Sequence, residues 1–313
     1  MSIAVVGLNH RRAPVEVRER LAFTADELPA AVEQLSASAG APEVVLLSTC
    51  NRTELYLADP DNHLDWGRAQ AAICRLKELP EDELSERFYS YSEQQAVEHL
   101  FRVTSGLDAM VLGESQIIGQ VRDAYRTSLG LGKTGRTLNQ LFQRALHVAG
   151  RVHSETAIGH GAASVPSVAA GLAGRIFESL DRRRLLVLGA GEMGLLTVES
   201  FRCRGLKDLI VANRTEARAK ELVSHYGGRA VSLEHVDEIL SEADIIVSCL
   251  ETDHPILGPN QLREALTRRR GDPVLLIDLG VPRNIDPAAG RFENIYLFDI
   301  VWTCTGLIVR SWA

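Results

Sequence analysis

Apolar and polar positions follow two different rhythms along the chain. In the first half, short apolar runs alternate with helical periodicity. Residues 3–9 (IAVVGLN) predict a strand, and residues 43–49 (EVVLLST) and 53–58 (TELYLA) predict two more, separated by Cys50, Asn51 and Arg52. Thr24 and Glu27 have capping-box spacing ahead of a helix that should reach about residue 37, and Ser92 and Gln95 repeat it ahead of a helix ending near Thr104. Helical periodicity then dominates from about 108 to 155. Residues 157–174 (AIGHGAASVPSVAAGLAG) are small and Gly/Ala-rich, and the domain boundary is placed near their start. Beyond them, LLVLG (185–189), LIVAN (209–213), ADIIVSCL (243–250) and VLLIDLG (274–280) read as buried strands alternating with helical segments, the pattern of a doubly wound parallel sheet. NIYLFDI (294–300) continues the pattern, whereas no amphipathic helix can be read in residues 301–313. The expected fold is therefore α/β: a mixed α+β domain over 1–156, a Rossmann-type domain over 157–300, and an aberrant tail over 301–313.

A length of 313 residues is enough for two cores. No run of about 18 uncharged apolar residues is present, so no membrane span is expected, and MSIAVVGLNHRR lacks the marks of a secretory signal. The five cysteines form no CxxC or Cys/His cluster, so no metal is expected, the thiols should be reduced, and a cytoplasmic location follows. The net charge of -7 argues mildly against nucleic acid. Locally the balance inverts: Arg122, Arg126, Lys133, Arg136, Arg144 and Arg151 face only Asp123, either as a phosphate-facing stripe or as a solvated helix face.

Gly189-Ala190-Gly191-Glu192-Met193-Gly194 is a GxGxxG turn directly after a strand and opening a helix, which predicts dinucleotide binding. The next strand ends in Asn213-Arg214-Thr215 instead of a carboxylate. Arg214 can pair with a 2′-phosphate while Asn213 and Thr215 hydrogen-bond it, which favours NADP(H) over NAD(H); the bland reading leaves Arg214 as a surface residue. Cys50 sits between two strands with Arg52 two residues on, a cation that would favour its thiolate. Taken alone, a cysteine there is more often packing than chemistry. Cys249 closes a strand with no cation near in sequence, Cys74 and Cys203 lie in helical patterns, and Cys304 lies in the tail.

Ser48-Thr49-Cys50-Asn51-Arg52-Thr53-Glu54 resembles the STCNRTE signature of glutamyl-tRNA reductases. GLNHRRAPVEVRERLAF (7–23), EHLFRVTSGLDAMVLGESQIIGQVRDAY (98–125) and DLGVPRNIDP (278–287) resemble further segments of that family, so the resemblance spans most of residues 1–300. It implies that Cys50 takes the glutamyl group from glutamyl-tRNA(Glu) as a thioester, and that NADPH reduces the thioester to glutamate-1-semialdehyde in the first step of tetrapyrrole (porphyrin) synthesis. It further implies that Thr49, Asn51 and Arg52 bind the glutamyl moiety, with Arg52 on its side-chain carboxylate. Glu114, Ser115, Gln116 and Gln120 would line the same pocket, Glu114 holding the α-ammonium group. His99 would assist transfer, although Ala96, Leu100 and Val103 also let it read as a packed helix residue. Hand-off of the aldehyde to glutamate-1-semialdehyde aminomutase is implied as well.

Two departures stand out. Ala109 occupies the place of a family serine, removing a hydrogen bond that typically contributes about 1 kcal/mol. The family continues into a helical domain that forms a homodimer, and residues 301–313 stand in its place. This suggests truncation or a shifted reading frame, and a second reading of a catalytically impaired member that binds NADPH or tRNA without turnover. A third reading, a shikimate-type NADP dehydrogenase, leaves Cys50 and its neighbours without a role.

Overall fold

Strict alternation decides how the first sheet is buried. In the computed structural model, which describes residues 2–61, 63–114, 116–159, 164–177, 179–252, 254–269 and 272–300, the chain divides into two compact units, one ending at residue 162 and the other starting at 163. The expectations for Ser115 and for the tail over 301–313 fall outside the described residues.

The first unit runs β1 (Ser2–Asn9), α1 (Val15–Leu21), α2 (Leu28–Ala39), β2 (Glu43–Ser48), β3 (Arg52–Asp59), α3 (Trp66–Leu76), α4 (Glu81–Leu84), β4 (Tyr89–Ser92), α5 (Glu93–Thr104), α6 (Gln116–Gly130) and α7 (Arg136–Glu155). Its antiparallel sheet has the order β2-β3-β1-β4. Both faces are covered. Leu55 and Leu57 join Val6, Leu8, Val44 and Leu46 in a core with α2 and α3. Tyr56 and Ala58, one residue out of phase, join Val5, Val45 and Leu47 in a second core with α5, α6 and α7. Gly7 lies opposite Glu54, where an added Cβ would meet the Thr53 carbonyl oxygen at 2.5 Å and Glu54 Cγ at 2.8 Å.

The second unit runs α8 (Val165–Phe177), β5 (Arg184–Leu188), α9 (Glu192–Arg202), β6 (Asp208–Asn213), α10 (Glu216–Tyr226), β7 (Arg229–Ser232), α11 (Val236–Ile239), β8 (Ile245–Ser248), α12 (Pro259–Arg268), β9 (Val274–Asp278) and β10 (Ile295–Asp299). Its six strands are all parallel in the order β10-β9-β8-β5-β6-β7. The order reverses between β5 and β8, the switch point outside which such sheets bind ligands. No helix among the described residues is long and apolar enough to cross a membrane.

Two local expectations need correction, and the small-residue stretch gains a structure. At Thr24 only half of the capping box forms: the Glu27 carboxylate accepts from the Thr24 N–H at 2.8 Å, and the helix begins at Leu28. At Ser92 no cap bond forms, because Ser92 is paired with Ala4 in the sheet and Glu93 turns the chain at φ +47°. The small-residue stretch is largely helix: Ala169, Ala170 and Ala173 are buried in α8, where short side chains permit close packing.

The aromatic cluster behind β3 gives a test of the first core. Phe142 is fully buried, edge-on to Tyr56 at 5.3 Å and stacked on Tyr125 at 5.6 Å. Phe142→Ala should lower unfolding free energy by about 3–5 kcal/mol. Urea titration of the full chain checks this, and a loss below about 1 kcal/mol would show that the second core does not support this unit.

Candidate active site

The Thr49–Asn51 connection between β2 and β3 is held by its own short-range bonds and by two outside groups. Thr49 N–H donates to the Arg52 carbonyl at 2.8 Å. Thr49 Oγ1 accepts from the Asn51 N–H at 3.1 Å and the Arg52 N–H at 3.2 Å. Buried Arg18 of α1 donates to the Cys50 carbonyl and, at 3.2 Å, to Asn51 Oδ1. His10 N–H donates to the Asn51 carbonyl at 2.9 Å. Thr49 and Asn51 thus shape the turn that presents Cys50, whose side chain is half-buried.

Arg52 favours the Cys50 thiolate as expected, but more weakly than burial and Glu114 oppose it. Its guanidinium is 2% exposed and is held by two carboxylates, Nη1 on Glu54 Oε1 at 2.7 Å and Nη2 on Asp108 Oδ2 at 3.2 Å. The Cys50 thiol is pushed up to about 12, first by burial and then by the charge of Glu114, with Arg18 and Arg52 opposing more weakly. It is therefore a neutral thiol in the free protein. The same pairing corrects the expectation of an Arg52 open to a substrate carboxylate, since two protein carboxylates already hold it.

Glu54 is wholly buried and accepts four bonds: from Arg52, from Tyr56 Oη at 2.6 Å, from Tyr89 Oη, and from His99 Nε2 at 2.9 Å. Burial alone would raise its carboxyl, but Arg52, His99 and the tyrosine hydroxyl hold it well below the usual range. An ionised carboxylate only accepts, so Nε2 of His99 carries the proton. His99 is thus joined to the Cys50 turn through Glu54 and Arg52, and its ring lies 5.0 Å from that of Tyr91.

Glu114 and Asp108 come from a loop closed by two glycines, Gly106 at φ +73° and Gly113 at φ +81°, with Gly113 N–H donating to the Gly106 carbonyl at 3.0 Å. Only glycine fits at 113, where a Cβ would collide with the Ile158 carbonyl. Burial pushes the Glu114 carboxyl up to about 7. Ala109 is half-buried on this loop. Gln116 and Gln120 are four residues apart at the start of α6, and no hydrogen bond joins Gln120 to the Cys50 turn among the described residues. Beside His99 lies a cavity of 370 Å³ between Arg11 and Arg12 after β1, Tyr91 of β4, and Glu98 and Arg102 of α5. The basic stripe is split between helices, Arg122 and Arg126 on α6 and Arg136, Arg144 and Arg151 along α7, all exposed.

In the second unit the glycines divide their work. Gly189 has φ +110° and its Cβ would meet the Cys249 carbonyl oxygen at 2.9 Å, while a Cβ on Gly194 would collide with the Gly189 carbonyl. Gly191 has nothing within 4 Å, leaving bare backbone at the start of α9 where a pyrophosphate fits. Glu192 is exposed beside it, and Ala190 and Met193 are half-buried. Asn213 is already used by the protein: its Oδ1 accepts from the Ala190 N–H at 3.3 Å and its Nδ2 donates to the Thr215 carbonyl at 2.9 Å. Arg214 and Thr215 are exposed, and Arg214 has no ion pair among the described residues. The site therefore fits a nicotinamide dinucleotide. Cys249 is a neutral thiol pushed up to about 12 by burial, 3.5 Å from Thr197 Oγ1.

Sequence reasoning gave no role to Glu54, Arg18, His10 or Asp108. Arg52 and Glu54, two apart on one strand, share a face, which is the one available signal for that pair. His10 Nδ1 is buried with no partner among the described residues, and burial together with Arg52 lowers the ring to about 4.

Residues 6–156 match the family profile of the N-terminal domain of glutamyl-tRNAGlu reductase, and residues 171–301 match that of shikimate/quinate 5-dehydrogenase. The chain is 45% identical over 301 residues to the glutamyl-tRNA reductase of Rubrobacter xylanophilus, covering 96% of this chain and 70% of that protein. Among solved structures it is similar to glutamyl-tRNA reductase from Methanopyrus kandleri, at 35% identity and a TM-score of 0.47 over 97% of this chain and 72% of that one. The nucleotide-binding domain of the Thermoplasma volcanium enzyme aligns at 20% identity and a TM-score of 0.35, covering 47% of this chain and 92% of that one.

The field at Cys50 is testable without substrate. Glu114→Gln removes a charge that opposes the thiolate, so the pH profile of Cys50 alkylation by iodoacetamide, read by peptide mass, should move to lower pH. Superimposable profiles for parent and variant would show that Glu114 does not act on the thiol.

Proposed function

The chain belongs to the glutamyl-tRNA reductase family, and we propose that it reduces glutamyl-tRNA(Glu) to glutamate-1-semialdehyde with NADPH through a thioester on Cys50, the entry to tetrapyrrole synthesis. The observation that carries the reading is the fixed Cys50 turn, coupled through Arg52 and Glu54 to a histidine beside a cationic cavity.

The resting thiol is neutral, and the opposing charge sits on Glu114. An α-ammonium group seated on Glu114 neutralises that charge and favours the thiolate where the ester carbonyl arrives. The Cys50 sulfur then bonds to the carbonyl carbon, the carbon–oxygen ester bond breaks, and the ribose oxygen leaves with a proton. His99 orients this end of the ester, its Nε2–H held by Glu54 and its ring edge on the cavity. Asn51, Thr49 and Arg52 act here as positioning residues for the nucleophile, with Gln116 and Gln120 offering amides to the glutamyl group.

The dinucleotide supplies a hydride. The protein's part is the bare backbone at Gly191, the N-terminus of α9, and Arg214 for a 2′-phosphate. With hydride and proton added to the thioester, the carbon–sulfur bond breaks, the Cys50 thiol is restored and the aldehyde leaves. The dehydrogenase-type match over residues 171–301 accounts for the cofactor half alone.

Two measurements test this. The purified chain with glutamyl-tRNA and NADPH should yield trapped aldehyde, and Cys50→Ser should yield none; equal yields would remove Cys50 from the chemistry. Arg214→Glu should raise the Kd for NADPH about ten-fold or more while leaving that for NADH nearly unchanged, as expected for losing one charge-assisted contact. An equal effect on both would show that Arg214 does not read the 2′-phosphate.

A further inference from the structure

The cavity beside His99 has a composition that a glutamyl group does not need. Its rim carries three arginines, Arg11, Arg12 and Arg102, and its wall carries Tyr91. Arg11 is partly spent on Asp108 at 3.1 Å. Arg12 and Arg102 are exposed and have no ion pair among the described residues. Glu98 lies one turn before Arg102 on α5, yet the two form no ion pair.

Cations, an aromatic face and a carboxylate in one pocket match the parts of a ribonucleotide. Phosphate oxygens take guanidinium donors. A base stacks on an aromatic ring. A ribose hydroxyl donates to a carboxylate, as in dinucleotide sites. The platform is rigid, since Tyr91 stacks on Tyr89 with centroids 5.2 Å apart and Tyr89 is tied to Glu54.

The pocket is bonded to the network that holds the Cys50 turn. His99 lines it and bonds Glu54, and Glu54 holds Arg52 at the end of the Cys50 turn. The pocket's other wall, Asn9 and Arg11, adjoins His10, whose N–H donates to the Asn51 carbonyl at 2.9 Å. Resting on the functional reading above, we propose that this cavity seats the 3′-terminal nucleotide of the acylated RNA, with Arg12 and Arg102 on its 5′ phosphodiester, Tyr91 under its base and Glu98 on its ribose. His99 then meets the ribose oxygen that leaves. Arg12, Arg102 and Tyr91 are positioning residues: they hold the ester's nucleotide and do not touch the thiol.

The test compares two acyl donors without cofactor, reading acylation of Cys50 by intact mass: glutamyl-tRNA, and the α-benzyl thioester of glutamate, which has no nucleotide. In the double variant Arg12→Glu/Arg102→Glu, the ratio of the tRNA rate to the thioester rate should fall roughly ten-fold or more. Tyr91→Ala should lower that ratio and Tyr91→Phe should restore it, because stacking needs the ring and not the hydroxyl. The dinucleotide cytidylyl-(3′→5′)-adenosine should bind the parent by calorimetry and lose binding in the double variant. An unchanged ratio, with the parent acylated by both donors, overturns the pocket assignment and leaves the functional reading standing. A parent chain acylated by neither donor overturns the functional reading and the pocket assignment with it.

Discussion

Glu54 carries a full negative charge into a sheet whose two faces are both covered, and the first unit is arranged around that charge. An ionised carboxylate removed from water costs several kcal/mol unless its lone pairs are filled and a cation stands close. Here Arg52 supplies the cation, and Tyr56, Tyr89 and His99 complete the shell. Gly7 on the neighbouring strand leaves the room, since any side chain there would displace Glu54 itself. Arg52 brings in a second carboxylate, Asp108, which is bound in turn by Asn9 and Arg11. One charge thus ties together the strand after Cys50, the end of β1, the loop before α6 and the histidine of α5. The recognisable segments of the first unit are the parts of this single compensated network.

The network also sets the field at the Cys50 thiol. Because Arg52 is spent on carboxylates, the nearby charge that acts most strongly on Cys50 is the opposing one of Glu114. A thiol pushed up to about 12 resists alkylation and oxidation. Under the proposed function, the group that relieves the opposition arrives with the substrate, so reactivity and occupancy rise together. Burial that pushes Glu114 up to about 7 makes the relief easier, because its charge is only partly held near neutral pH.

The second unit solves a simpler problem with backbone. Two of its three signature glycines are required by the protein's own packing and the third leaves the approach open. The segment DLGVPRNIDP braces the sheet. Asp278 accepts from the N–H groups of Gly280, Asn284 and Ile285, and buried Asn284 accepts from Ser248 Oγ and the Leu250 N–H. These bonds lock the carboxyl ends of β8 and β9 beside the switch point.

The sequence by itself determined the elements and the fold class. Alternation along β3 and the apolar runs of β5, β6, β8 and β9 read directly as strands, and the glycine turn read as a dinucleotide cradle, because periodicity and turn chemistry act over a few residues. β4 and β7 escaped notice, each being a four-residue strand at the edge of its sheet. Cys50 and His99 were legible as candidates, but their electrostatics were not. Arg52 does favour the thiolate, as its place two residues away implied, but only weakly, and the tertiary structure ties it to Asp108, 56 residues on. Asn213 looked like a cofactor ligand, and the fold uses it to brace Ala190. Which cation satisfies which buried carboxylate is set by where distant segments meet. Charge compensation is long-ranged in sequence and short-ranged in space, so only the tertiary structure could decide it.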